Sequence, residues 1–386
     1  MPECTSAPKA SSGGPGDART VDGEPRRWGL TTSGGDSQRP DGGAKFKQFL
    51  ADRPKDKPFF FWFGSTNPHR AYAPDSGLAA GKKPSDIDHV PAYWPDNDVV
   101  RRDMLDYSIE VETYDAQVGG LLKVLEESGE AGNTLVLVTS DHGMPFPRVK
   151  GHNCDASNHV PLVAYWPQGI AGRGRRVTDF ISLIDLAPTV LEVFGVTEKK
   201  SGLSNITGRS FTDLLKNKPG HDRSFVILGR ERNDVYARPG TEAGLGYPVR
   251  GIREGNLLYL HNFKPDRWPC GNIELGLLDT DGSPTKSLLE AAGDADRFWQ
   301  LCFGKRPADE LFDLASDPDC VKNLAEDASY RETAMKLHDK LIAQLKQQND
   351  PRVLGQGDVF DNYPTTKRAP GAQPKKQSGK KKAKPQ

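Results

Sequence analysis

Apolar residues along this chain fall into two rhythms, and each predicts a different element. From Ala44 to Arg53, Phe46, Phe49 and Leu50 recur at helical spacing and predict a short amphipathic helix. It leads into Pro58-Phe59-Phe60-Phe61-Trp62-Phe63-Gly64, an unbroken apolar run of strand length, as expected for a strand buried on both faces. The run stops at Asn67-Pro68-His69-Arg70, a turn signal. Asp98 to Ser128 again carries apolar residues at mostly helical spacing, closed by Gly129. A second apolar strand follows, Thr134 to Thr139, and ends at Ser140-Asp141-His142-Gly143. Helix feeding apolar strand, twice over, predicts an α/β layered fold with a largely parallel sheet. In such sheets chemistry gathers just past the carboxyl ends of the strands, where both polar motifs fall.

Further on, Val160 to Trp166 reads as a strand and Ser182 to Phe194 as a helix. Phe225 to Leu228, Val249 to Ile252 and Leu257 to His261 read as short strands of a small antiparallel sheet. Ser329 to Gln347 is a predicted helix with Ala334, Leu337, Leu341, Ile342 and Leu345 on one face. The segments outside these elements have another character. Residues 1–43, rich in Gly, Pro, Ser, Asp and Arg, read as disordered or as foreign to the fold, and 350–386, polar and lysine-rich, as a disordered tail. The expected organisation is therefore 1–43 outside the fold, 44–222 a catalytic-type layer, 223–349 a small α+β subdomain, and 350–386 a basic tail.

Composition narrows the function. The 386 residues carry 52 basic and 52 acidic side chains, so no global field points to nucleic acid. No apolar run reaches the length of a membrane span, and the N-terminus lacks the pattern of a secretory signal. Five cysteines lie far apart without a C-x-x-C pair; one disulfide, such as Cys302 with Cys320, is compatible with the spacing but not fixed by it.

The candidate chemistry is local. Asp141 and His142, adjacent at a strand end, can face one divalent ion, although a turn-capping aspartate beside a surface histidine has the same pattern. Lys150, nine residues after Asp141, can supply a point charge to an anionic oxygen, or be a solvated lysine. His69 can donate a proton to a leaving group, or be a structural histidine.

Together these segments resemble the sulfatase family of the alkaline phosphatase superfamily. Lys57 to Phe63 followed by Asn67-Pro68-His69-Arg70 looks like the family's apolar strand and Pro-His motif. Asn133 to Gly143 is similar to its second metal-ligand strand, and Met144 to Lys150 with His159-Val160-Pro161-Leu162 to the stretch that ends that site. The Pro145-Phe146-Pro147 element resembles the heparan N-sulfatase branch. Ile184 to Leu191, and Glu310 to Leu314 through Asp317-Pro318 to Asn323-Leu324-Ala325, look like the following helix and the C-terminal signature.

The resemblance implies an alkaline-phosphatase-like layered fold, N-terminally incomplete, and a hydrolase acting on sulfate esters or N-sulfates of a sulfated glycan or other small sulfated molecule. It implies Asp141 and His142 as ligands of one Ca2+, Lys150 on a sulfate oxygen, His69 at the sulfate or leaving group and Arg70 at the substrate. The family's Cys-x-Pro-Ser-Arg motif, whose cysteine becomes the nucleophilic formylglycine, is not found; Cys4 is followed by Thr5, Ser6, Ala7 and Pro8. The expectation is a truncated, inactive product of a gene whose intact protein is periplasmic or extracellular. Two other readings fit parts of the pattern: a metal-dependent phosphodiesterase of the same superfamily, and a non-catalytic protein that binds sulfated polysaccharide.

Overall fold

The structure is a computed structural model that describes residues 30–31, 42–203, 205–231, 246–271, 273 and 276–362. Cys4, nearly all of the 1–43 segment and the lysine-rich residues 363–386 lie outside the described residues, and with them the expectations about both terminal segments.

Among the described residues eight strands form three sheets. β1 (Leu30–Thr31) and β2 (Phe63–Gly64) pair in parallel, two residues each. β3 (Val136–Thr139) and β4 (Leu162–Tyr165) pair antiparallel, Val136 opposite Tyr165 and Thr139 opposite Leu162. β5 (Phe225–Arg230), β6 (Val249–Glu254), β7 (Leu257–Asn262) and β8 (Asp309–Asp313) form one antiparallel sheet in that order. The longer helices are α1 (Gly42–Asp52), α2 (Asp98–Glu127), α3 (Leu186–Val193), α4 (Pro284–Ala292), α5 (Arg297–Phe303) and α6 (Arg331–Gln347).

Two expectations about the strands need correcting. The apolar run at 58–64 keeps only Phe63 and Gly64 as strand, with an isolated bridge at Phe59, and the Phe59 and Phe61 rings pack with Phe46 and Phe49 of α1. The second run is a strand as expected, but none of its residues is buried, and its partner β4 exposes Val163 and Tyr165. An apolar run reports a side chain's preference for burial, and the packing layers decide whether burial is realised. The largely parallel sheet is likewise seen only in the short β1/β2 pair among the described residues.

The C-terminal sheet is covered on both sides because its side chains alternate faces. Ile252, Tyr259 and Leu311 meet Leu337, Leu341 and Leu345 of α6. Val249, Leu258, Leu260 and Phe312 point the other way, onto Cys154 and Cys320. That second face carries the turn 144–154 that follows β3, so the sheet is the floor on which the candidate site rests. Cys154, Cys270, Cys302 and Cys320 are all buried and unbonded, and Cys302 and Cys320 form no disulfide. Among the described residues no helix is long and apolar enough to cross a membrane.

Candidate functional site

Each site side chain sits in a turn, and each turn is fixed by a network the sequence did not announce. The Asn67-to-Arg70 turn is tied to α2. Asn67 is buried, donates to Glu110, accepts from Gln117 Nε2 at 3.1 Å, and its backbone N–H reaches Ser65 Oγ at 3.0 Å. His69 is exposed, and its Nδ1 meets the carbonyl of Arg70. A carbonyl only accepts, so Nδ1 carries the proton and Nε2 is left for chemistry.

Arg70, expected at the substrate, is turned inward. Its guanidinium grips Asp103 of α2 through two bonds of 2.8 and 3.0 Å, and Nε donates to the carbonyl of Pro145 at 2.9 Å. It also lies between the rings of Tyr72 and Phe146, at 4.3 and 4.4 Å from their centres. The physical reason is the carboxylate: Asp103 is 2 % exposed, and a buried carboxylate needs a charged, bidentate partner. Arg70 thus clamps the His69 turn to the turn after β3, while Thr285 Oγ1 donates to Asp103 Oδ2 at 2.6 Å and brings α4 into the same clamp.

At the end of β3 the chain folds back sharply. Gly143 N–H donates to Ser157 O at 3.0 Å, and a Cβ at Gly143 would stand 1.9 Å from the carbonyl of Ala156, so only glycine fits. His142 Nδ1 donates to the carbonyl of Gly143 at 2.6 Å, which leaves its Nε2 lone pair 3.7 Å from Asp141 Oδ1. The Asp141 carboxylate is almost wholly exposed. The pair can contribute to a divalent site, but calcium takes six to eight oxygens. One carboxylate and one imidazole are a partial set, and among the described residues no group of three or more His, Cys, Asp or Glu gathers. These residues alone do not make a complete calcium site.

Lys150 lies on the same turn with its ammonium 2.6 Å from Asp281. The pair is only partly exposed, so the lysine is positioned and carries a counter-ion that an anionic ligand must share or displace. Among the described residues no hydrogen bond or ion pair joins His69, Asp141 and Lys150; the structure unites their turns through Arg70 instead. Asp103 and Asp281 were not singled out from the sequence. The only signal for Asp281 was its place in the turn-rich Asp279-Thr280-Asp281-Gly282 stretch.

Comparison with known proteins follows this geometry. The sulfatase family model matches residues 43–196, the stretch holding both turns. An ulvan-active sulfatase of Formosa agariphila is 28% identical over 277 residues, 71% of this chain and 43% of that protein. Human N-sulphoglucosamine sulphohydrolase is 26% identical over 353 residues, 83% of this chain and 66% of that protein. This chain therefore spans less than two thirds of the length of either relative. Among solved structures, one from a core locus for metabolism of multiple glycosaminoglycans in Bacteroides thetaiotaomicron superposes with TM-score 0.56 at 20% identity, covering 83% of this chain and 61% of that one. The phosphonate monoester hydrolase of Agrobacterium radiobacter gives 0.52 at 20%, covering 79% and 60%. At those identities the two structures speak for the fold alone, which is the alkaline-phosphatase-like layered fold expected from the motifs. With the family match laid over the strand-end turns that hold His69, Asp141, His142 and Lys150, residues 43–196 of the chain are similar to the sulfatase family.

Proposed function

We propose that the protein is a sulfatase-type hydrolase of sulfate esters or N-sulfates on sulfated glycans. The observation that carries this reading is the Arg70 clamp, which holds the His69 turn against the turn bearing Lys150. His69, exposed with Nε2 free, is placed to meet the leaving group or a sulfate oxygen. Lys150 offers its ammonium to a sulfate oxygen in exchange for Asp281. Asp141, and His142 through Nε2, are assigned to a calcium ion as two members of a larger donor set. The substrate class rests on the relatives, one active on ulvan and one named for N-sulphoglucosamine. A periplasmic or extracellular location belongs to the same reading.

No cysteine of the sequence stands in a Cys-x-Pro-Ser-Arg motif, and covalent catalysis needs an activated nucleophile. The 386-residue chain is therefore expected to bind N-sulfated glucosamine and not to turn it over. Calorimetric titration should show binding that Lys150→Ala weakens about tenfold and Asp281→Asn strengthens, since a charge-assisted contact is lost in one and freed in the other. Equal affinity in all three proteins overturns the Lys150 assignment, and sulfate release above the Lys150→Ala control overturns the expected inactivity.

A further inference from the structure

Behind the turn that carries Lys150, a cavity of about 30 Å³ lies against the second face of the C-terminal sheet. Arg148, His152, Arg230, Tyr247, Arg306 and Glu310 line it. That is room for one or two bodies the size of a water molecule. Its charge is unbalanced. Arg230 is paired, with Nη2 2.6 Å from Asp279 Oδ2. Arg148 and Arg306 reach only carbonyl oxygens, Arg148 those of Leu301 and Cys320, and Arg306 that of Leu301. Among the described residues no carboxylate stands within ion-pair distance of either. Among the described residues Glu310 is the one carboxylate on the wall, and it accepts from Asn262 Nδ2 at 3.0 Å. Among the described residues, three guanidiniums facing Asp279 and Glu310 leave one positive charge over.

Neighbouring groups that titrate do not remove the excess. Burial, reinforced by Arg306, Arg230 and Arg148, drives His152 well below its usual range, so it is neutral. Burial also pushes the Cys270, Cys302 and Cys320 thiols up, so no thiolate supplies the missing negative charge. The cavity wall also holds unsatisfied donors: Arg148 Nε, Arg230 Nε and the Tyr247 hydroxyl are all buried without a hydrogen-bond partner among the described residues. Buried donors and unpaired buried charge are both costly. Arg148 moreover holds a left-handed backbone, φ 67°, a conformation that is unfavourable for a residue with a Cβ.

We infer that this cavity is a binding site for one monovalent, halide-sized anion, chloride being the representative. Such an ion matches the single excess charge, the small volume and the convergent N–H and O–H donors. Arg148 lies two residues before Lys150 in the turn, so the ion would fasten the turn to the sheet and fix the backbone from which Lys150 projects.

The test is the melting temperature of the full chain as chloride replaces gluconate at constant ionic strength. A saturable rise, about 5 °C at a hundredfold excess over Kd, is expected. Crystals grown with bromide should show one anomalous peak in contact with Arg148 and Arg306. Tyr247→Phe, which removes one hydroxyl, should raise the half-saturating chloride concentration at least fivefold, and Arg306→Gln should abolish the response. Should Arg306→Gln not fold, Tyr247→Phe decides alone. Equal melting in chloride and gluconate, water alone in the cavity, or an unchanged chloride response in Tyr247→Phe overturns the site. A larger rise with sulfate than with chloride overturns its halide character.

Discussion

The β3/β4 pair is the more apolar in sequence, with no charged residue in either strand, yet it is less buried than the β5-to-β8 sheet, where β5, β6 and β8 carry charges. In the C-terminal sheet Ile252, Leu258 and Leu311 are wholly buried, because α6 covers one face and the 144–154 turn with its neighbours covers the other. In the pair after α2 no residue of β3 is buried, and Val163 of β4 is 58 % exposed. Val136 of β3 packs against Phe46, Phe49 and Leu50 of α1 and Leu125 at the end of α2. The candidate site thus stands on unequal supports: Asp141 and His142 follow the end of a thinly covered strand, whereas Lys150 lies on a turn backed by a finished sheet. Precision at Lys150 comes from the C-terminal half of the chain.

Breaking the Arg70 clamp should have the largest effect, because it joins the two regions. Asp103→Ala leaves a buried guanidinium without its carboxylate and is expected to cost about 3–5 kcal/mol in urea unfolding. A loss below about 1 kcal/mol would mean that the clamp does not hold the turns together. The comparison itself is sharpened by a matched pair of truncations. Leu341→Ala, at a wholly buried site on α6, should cost about 2–5 kcal/mol. Leu137→Ala, on half-exposed β3, should cost about 1 kcal/mol. Equal costs would show that β3 is as well covered in solution as the C-terminal sheet.

The smallest effect is a pH dependence in the backed region. The folded chain depresses His152 below 6.5, whereas the unfolded chain binds its proton near 6.5. The unfolded state therefore takes up the proton first as pH falls, and the stability this group contributes is full above pH 6.5 and lost below it. Between about pH 6.5 and 5 the decline should reach at most about 1.4 kcal/mol per pH unit, and His152→Gln should flatten it. The depressed carboxyls of Asp309 and Asp361 cannot produce this slope, since their ordinary value is 3.8 and their loss lies lower. A wild-type curve flat across this window would place His152 in water.

Much of this was legible in residue order. The helix α2 followed from its apolar spacing and from Gly129 at its end, and Asn97 supplies the N-terminal cap, accepting from Val100 N–H. Three strands of the C-terminal sheet followed from short apolar runs between turns, and β8 joined them at the Glu310-to-Asp313 stretch first marked only as a motif. His69 and Asp141 were singled out because they stand just past apolar strands, and Lys150 by its place nine residues after Asp141, all of them local signals. Their partners were not found. Arg70 and Asp103 are 33 residues apart, and Lys150 and Asp281 are 131 apart. No periodicity relates residues at those distances.

The sequence by itself determined which residues can do chemistry, which segments become helix or strand, and which family the chain resembles, because side-chain type and short-range spacing are written in it. Tertiary structure alone decided that Arg70 is a clamp, that Lys150 carries Asp281 as counter-ion, that β3 is half open, and that three arginines converge behind the site with one charge unmatched. Those outcomes depend on which distant groups meet in a shared low-dielectric space, and ion pairing and burial are settled only there.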